Sequence, residues 1–194
     1  MNTETKLIKF EEGITLESGN HLESFELIVE TYGELNKSKS NGVLLCHAFS
    51  GNHHAAGKSE DGSIGWWDQL VGSDKAIDTD KYFVVCCNNL GGCSGSSGPT
   101  SINPQTGKIY GKDFPQVSVL DWVNSQKMLS EKLGINKWHL VIGGSLGGMQ
   151  ALQWSITFPD SVNKAGILAA AAKSSTQNIA SVSYTHLTLP TIAG

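Results

Sequence analysis

The chain has 194 residues, 39% of them hydrophobic and 16% charged, which suits one globular core and excludes a disordered chain. It is too short for two comfortable domains. A net charge of −4 argues against a nucleic-acid or anionic-membrane partner. With no run of about eighteen apolar residues and no apolar signal-peptide core near Met1, no membrane partner is expected and the expected address is the cytoplasm.

Short β-type runs at 6–10 and 25–32, separated by Gly/Asn/Ser turns, predict an edge pair of strands. Residues 42–48, Gly-Val-Leu-Leu-Cys-His-Ala, form a continuous apolar run typical of a strand buried on both faces. A loop at 49–72 follows, rich in Gly, His and Ser and carrying the pair Trp66-Trp67. Residues 81–87 read as a second buried strand. The Gly/Ser/Pro loop at 88–111 is long for a compact domain, and such loops are usually functional.

Asp113 with Pro115 predicts a helix start, with the helix running over 117–133. Val119, Leu120, Val123, Met128 and Leu129 would supply its buried side and Gly134 its end. Residues 138–142 read as a strand, 149–158 as a helix stopped by Pro159, and 165–170 as one more strand. Strands alternating with helices indicate an α/β domain with a mainly parallel sheet.

Cys46, Cys86 and Cys87 fall inside the apolar strands, where free thiols behave as small buried hydrophobes. No C-x-x-C pair exists, so no metal is expected. Cys93 is the one thiol placed in a loop to react, and a structural role is the simpler expectation there too.

The most informative stretch joins the strand at 138–142 to the helix at 149–158. Gly143-Gly144-Ser145-Leu146-Gly147 fits G-x-S-x-G, the strand–turn–helix that raises a nucleophilic serine above a parallel sheet. Glycines are needed because the turn is strained and backbones pass too close for a Cβ. A Gly-rich phosphate cradle is the bland alternative, but G-x-G-x-x-G is absent and no Gly-Lys-Ser/Thr follows. Ser145 is therefore the expected nucleophile. One oxyanion N–H would belong to Leu146, and the other to the loop after residues 43–46, where Phe49 is the best candidate. His47 is expected to shape that loop, and His53, His54 and His139 are expected to be structural.

The C-terminal residues fit no element of this scheme. Residues 181–191 can be encoded by a transposon-end adaptor used for sequencing libraries. Residues 181–194 are therefore expected to be a non-native tail, fused to a truncated reading frame, and His186 is left out of the functional reading.

Beyond the elbow, several segments carry a family pattern. They are Thr31-Tyr32-Gly33-Glu34-Leu35-Asn36, Leu45-Cys46-His47-Ala48-Phe49-Ser50-Gly51, Gly65-Trp66-Trp67-Asp68, and the runs at 75–84, 89–99 and 101–104. With residues 143–152 they follow one order along nearly all of 5–180, and the chain resembles the homoserine O-acyltransferases, of the homoserine O-acetyltransferase type. Leu146 stands where that family often has Met.

The resemblance implies an α/β-hydrolase fold: a mainly parallel central sheet with helices on both faces, incomplete here, with 1–180 as its N-terminal part. It implies acyl transfer from acetyl-CoA or succinyl-CoA to the hydroxyl of L-homoserine, in methionine biosynthesis, through an acyl-Ser145. Trp66, Trp67, Asn89 and Gly91 would wall the substrate pocket, with plain loop packing as the alternative for the Trp66-Trp67 pair. No bound cofactor is implied beyond the CoA thioester, and a homodimer is expected. The family's acid, histidine and substrate-binding arginine lie downstream of these motifs, and this sequence contains no Arg. The chain alone is thus expected to be crippled. The alternatives are a serine esterase, another amino-acid O-acyltransferase of the same fold, or an inactive fragment.

Overall fold

The computed structural model describes residues 1–173, 175–176 and 179–180. The expected non-native tail, with His186, lies outside the described residues. A six-stranded sheet is built from β1 (Thr3–Phe10), β4 (Phe25–Tyr32), β8 (Phe83–Cys87), β5 (Gly42–Cys46), β9 (Leu140–Gly144) and β10 (Ala165–Leu168), in that spatial order. The pairs β8–β5, β5–β9 and β9–β10 are parallel, while β1–β4 and β4–β8 are antiparallel. Two small ribbons complete the strands: β2 (Ile14–Thr15) with β3 (His21–Leu22), and β6 (Val71–Gly72) with β7 (Ile77–Asp78).

Burial explains the strand sequences. Every residue of β5 is buried, as its unbroken apolar run requires, whereas β1 at the sheet edge is exposed nearly throughout and anchors through Phe10. Phe10 stacks on its register partner Phe25 with ring centroids 4.5 Å apart. This is the edge pair expected from the sequence.

Helix α1 (Val119–Leu133) starts later than Asp113 and Pro115 suggest. Asp113 closes a separate 3₁₀ turn, Gly111–Asp113. The real start is Ser118, which forms a capping box with Asp121: the Ser118 hydroxyl accepts from the Asp121 N–H and the Asp121 carboxylate from the Ser118 N–H. Gly134 ends the helix at φ 69°. Its inner face is more polar than expected. Asp121, Ser125, Gln126 and Ser130 are buried beside Val123 and Leu129, whereas Leu120 and Met128 are only half-buried.

Helix α2 (Leu146–Thr157) begins directly after β9. Both α-helices pack on one sheet face, where Val123, Leu129, Ala151 and Trp154 meet Leu44, Cys46, Val85, Cys87 and Val141. The other face, Tyr32, Val43, Leu45, Val84 and Cys86, is covered among the described residues by the loop between β5 and β8, through Ala55, Ala56, Trp66, Trp67, Val71 and Ile77.

Candidate active site

The connection from β9 to α2 is a sharp elbow with Ser145 at its tip. Ser145 has φ 54° and ψ −120°, a strained conformation for a residue with a Cβ, and its side chain is exposed. Its N–H donates to the Leu168 carbonyl at 2.9 Å, and its carbonyl accepts from the Met149 N–H. Its hydroxyl does not cap the helix. The flanking glycines are sterically obligatory. A Cβ on Gly147 would overlap the Cys46 carbonyl oxygen, and one on Gly143 would overlap the Gly147 backbone. The absence of both lets the elbow press against the end of β5.

Leu146 is the first residue of α2, so its N–H has no partner within the helix. Phe49 sits in the turn after β5, closed by the Gly51 N–H donating to the Ala48 carbonyl at 3.0 Å. Phe49 and Leu146 line the same cavity, of about 320 Å³. Asn89 and Gly91 line it too, so the loop after β8 meets the loop after β5 there, with Phe114, Val117 and Trp122 forming an apolar wall.

Trp66 and Trp67 are not among its lining residues. Their rings pack together, centroids 4.9 Å apart, against the loop-covered sheet face, and the Trp66 indole N–H donates to the Asn52 carbonyl. Trp67 approaches the elbow from that side, with Cζ2 3.9 Å from the point where a Gly144 Cβ would stand.

His47 is fixed by two ring hydrogen bonds. Its Nε2 accepts the Asn89 N–H at 3.1 Å, so the ring proton is on Nδ1, which donates to the Ala48 carbonyl at 2.7 Å. Burial lowers its pKa below 6.5, against the pull of the Ala48 carbonyl. With both ring nitrogens occupied it shapes the loop and has no free nitrogen to serve as base. His54 Nδ1 is 3.0 Å from Glu30 Oε1, and the His139 ring lies against Tyr82. Burial also raises the thiol pKa of Cys46 and Cys86 strongly and pushes Cys87 up to about 12, so none competes as a nucleophile. Cys93 is exposed and lines the cavity. Among the described residues, no group of three or more His, Cys, Asp or Glu side chains could hold a metal ion, and no helix is long and apolar enough to cross a membrane.

The sequence reading passed over a set of buried amides beneath this site. Gln126 of α1 and Gln150 of α2 are 1% and 0% exposed, and their amides meet at 2.7 Å. Gln150, Ala151 and Trp154 lie on one helical stripe, so a polar residue in an apolar stripe was the available signal.

A strand, a strained serine and a glycine-cleared helix start are the features of the nucleophile elbow, and residues 41–186 match the family model for the α/β-hydrolase fold. The chain belongs to the α/β-hydrolase family. Within the family it is similar to the homoserine O-succinyltransferase of Neisseria gonorrhoeae, 61% identical over 175 residues, which are 89% of this chain and 46% of that protein. The same-named protein of Hahella chejuensis is 59% identical over 177 residues, 90% of this chain and 46% of the relative. Among solved structures, homoserine O-acetyltransferase from Bacillus anthracis superposes with a TM-score of 0.79 at 39% identity, covering 85% of this chain and 46% of that one. Esterase E22 gives a TM-score of 0.85 at 39% identity, covering 97% and 54%. The chain spans about half the length of the curated relatives it matches.

Proposed function

We propose that this α/β-hydrolase chain carries the nucleophile and oxyanion hole of a homoserine O-acyltransferase, and that its acyl donor is succinyl-CoA, with acetyl-CoA as the alternative. The observation that carries the chemistry is the elbow: Ser145 at positive φ, with Leu146 and Phe49 on one cavity. The names of the relatives at 59–61% identity support homoserine and the succinyl donor. The acetyltransferase neighbour supports the alternative.

In this reading the Ser145 hydroxyl attacks the thioester carbonyl. A tetrahedral intermediate forms, its oxyanion held by the Leu146 and Phe49 N–H groups, and CoA leaves as the thiol. The homoserine hydroxyl then attacks the acyl-serine and regenerates Ser145. Each oxyanion donor in such a site accounts for about two to three powers of ten in rate. The apolar wall of Phe114, Val117 and Trp122 would limit water, which otherwise hydrolyses the acyl-enzyme. The base that deprotonates Ser145 is not supplied by His47, both of whose ring nitrogens are hydrogen-bonded, and His54 lies against Glu30, outside the cavity lined by Phe49 and Leu146. We therefore propose that this chain alone acylates slowly and turns over poorly.

The test is intact-mass spectrometry after mixing with succinyl-CoA and, separately, acetyl-CoA. A mass gain from one donor that vanishes in Ser145→Ala supports the reading and names the donor. A gain that survives Ser145→Ala overturns it. The similarity to esterase E22 favours a second reading, an esterase using water as acceptor. Retention of the acyl group until L-homoserine is added would exclude it.

A further inference from the structure

We propose that Gln126 and Gln150 are positioning residues, forming a directional amide relay that holds the oxyanion loop against the nucleophile elbow. The inference rests on the reading of Ser145 as nucleophile for its consequence, and on hydrogen-bond geometry alone for its existence.

The relay starts at the Trp154 indole, which can only donate. Its Nε1–H donates to Gln126 Oε1 at 2.7 Å, and this fixes which end of the Gln126 amide is oxygen. Gln126 Nε2 must then donate, and does so to Gln150 Oε1 at 2.7 Å and to Asn89 Oδ1 at 3.5 Å. Gln150 Nε2 in turn donates to the His47 carbonyl at 3.1 Å. No amide in the series can flip without breaking a bond. Every side chain in it is buried: Trp154 and Gln150 at 0%, Gln126 at 1%, His47 at 4% and Asn89 at 6% exposure.

The relay ends one residue short of the oxyanion turn. The His47 carbonyl is held by Gln150, and the His47 ring is held by the Asn89 N–H. The ring then donates from Nδ1 to the Ala48 carbonyl, which also accepts the Gly51 N–H. A trans peptide is planar, so fixing the Ala48 carbonyl fixes the opposite direction of the Phe49 N–H. That N–H is the donor assigned to the oxyanion hole. Because Gln150 stands on α2 with Leu146, the relay refers both oxyanion donors to one rigid helix.

Two amides that serve only stability are replaceable. Exchanging both for apolar groups of similar shape leaves neither amide unpaired, whereas removing one strands the other; in the double variant the Trp154 indole N–H and the His47 carbonyl still lose their partners. The decisive variant is therefore the double replacement Gln126→Met with Gln150→Met in the full chain. Three readouts are taken: thermal stability, amide hydrogen exchange, and the 15N signals of the His47 imidazole. Acylation is followed in parallel by the burst of p-nitrophenolate from p-nitrophenyl acetate.

The expected result is a folded protein that melts below wild type, because the Trp154 indole N–H and the His47 carbonyl lose their partners, with exchange of the amides at 48–51 accelerated roughly tenfold, the loss of about one net hydrogen bond. Exchange in α1 and β5, which reports the global loss of stability, should be accelerated less than at 48–51, the His47 signals should shift toward a mixture of tautomers, and the burst rate should fall about 100-fold. If the double variant unfolds, Trp154→Phe, which removes only the orienting donor, is expected to loosen the same amides to a smaller degree. The proposal is overturned if loop exchange and the His47 tautomer are unchanged in the folded variant. A wild-type chain with no burst, or with a burst unaffected by Ser145→Ala, would instead overturn the assignment of Ser145. The exchange and imidazole readouts would still decide the relay.

Discussion

The two faces of the central sheet bury polar groups in opposite ways. On the helix-covered face the amides of Gln126 and Gln150 are tied in series, from Trp154 to the His47 carbonyl, and the series leads toward the site. On the loop-covered face the polar groups close locally. The Tyr32 hydroxyl accepts the Ala55 and Ala56 N–H groups, and His54 pairs with Glu30. Buried atoms without a partner among the described residues occur on both faces: His53 Nδ1, His54 Nε2 and Thr79 Oγ1 here, and Trp138 Nε1 on the helix side. Helices present side chains at fixed spacing and can carry a directional chain between two elements. A loop satisfies what is nearest to it.

The strongest way to break this comparison is at the elbow. A Cβ at position 147 would overlap the Cys46 carbonyl oxygen, which belongs to backbone and cannot swing away. Gly147→Ala should cost about 3 kcal/mol and detach α2 from the end of β5. A lowered denaturant midpoint together with lost acylation of Ser145 would verify this; an unchanged midpoint would show that the elbow is looser than the contact implies.

On the loop-covered face the matching perturbation is Tyr32→Phe. It leaves the Ala55 and Ala56 N–H groups buried without their acceptor and should cost about 2 kcal/mol. Tyr32 is fully buried, and desolvation raises its pKa, so the hydroxyl stays neutral throughout the working range. Because the loss is local, acylation of the folded variant should be preserved. A Tyr32→Phe protein with wild-type stability but slowed acylation would erase the distinction between the faces.

How far the sequence disclosed this architecture follows from where its signals are local. The elbow was legible because Gly143, Ser145 and Gly147 are each demanded by one turn. The burial of β5 was legible because every residue from Val43 to Cys46 is apolar. The relay was not, because Gln126 and Gln150 lie 24 residues apart: Gln150 interrupts an apolar stripe, but its partner appears only once α1 and α2 are packed. The start of α1 was misplaced for a related reason. Asp113 and Pro115 carry the usual signs of a helix start, yet the reciprocal bonds of Ser118 and Asp121 decide it. Of the residues expected to wall a substrate pocket, Asn89 and Gly91 line the cavity, while Trp66 and Trp67 cover the opposite sheet face, where apolar surface needs it.

A smaller effect is expected from pH. Burial holds the folded pKa of His47 below 6.5, so between those values the unfolded chain binds a proton that the folded chain refuses. Stability is therefore full above pH 6.5 and declines as pH falls toward the folded pKa. His53 is depressed in the same direction, also by burial, and contributes in parallel. Urea melts at about pH 8 and pH 5 should show the decline, and in His47→Gln it should shrink without vanishing. An equal decline in both proteins would place the linkage elsewhere. Protonation of His47 Nε2 would also set two N–H groups head to head, its own and that of Asn89, so the turn at 48–51 should loosen before the sheet does.

The smallest effect is also the sharpest contrast with the relay. Thr79 is 4% exposed, and its hydroxyl has no partner among the described residues, although its N–H donates to the Gly72 carbonyl. A hydroxyl buried without a partner costs free energy that a methyl group in its place does not. Thr79→Val keeps the β-branched shape and should leave stability unchanged or raise it by about 1 kcal/mol, read from the denaturant midpoint. A single change from Gln150 to Met should do the reverse, because it strands both the Gln126 amide and the His47 carbonyl. If Thr79→Val instead destabilises the protein, the loop-covered face also depends on its polar groups, and the two faces differ only in how visibly their hydrogen bonds are connected.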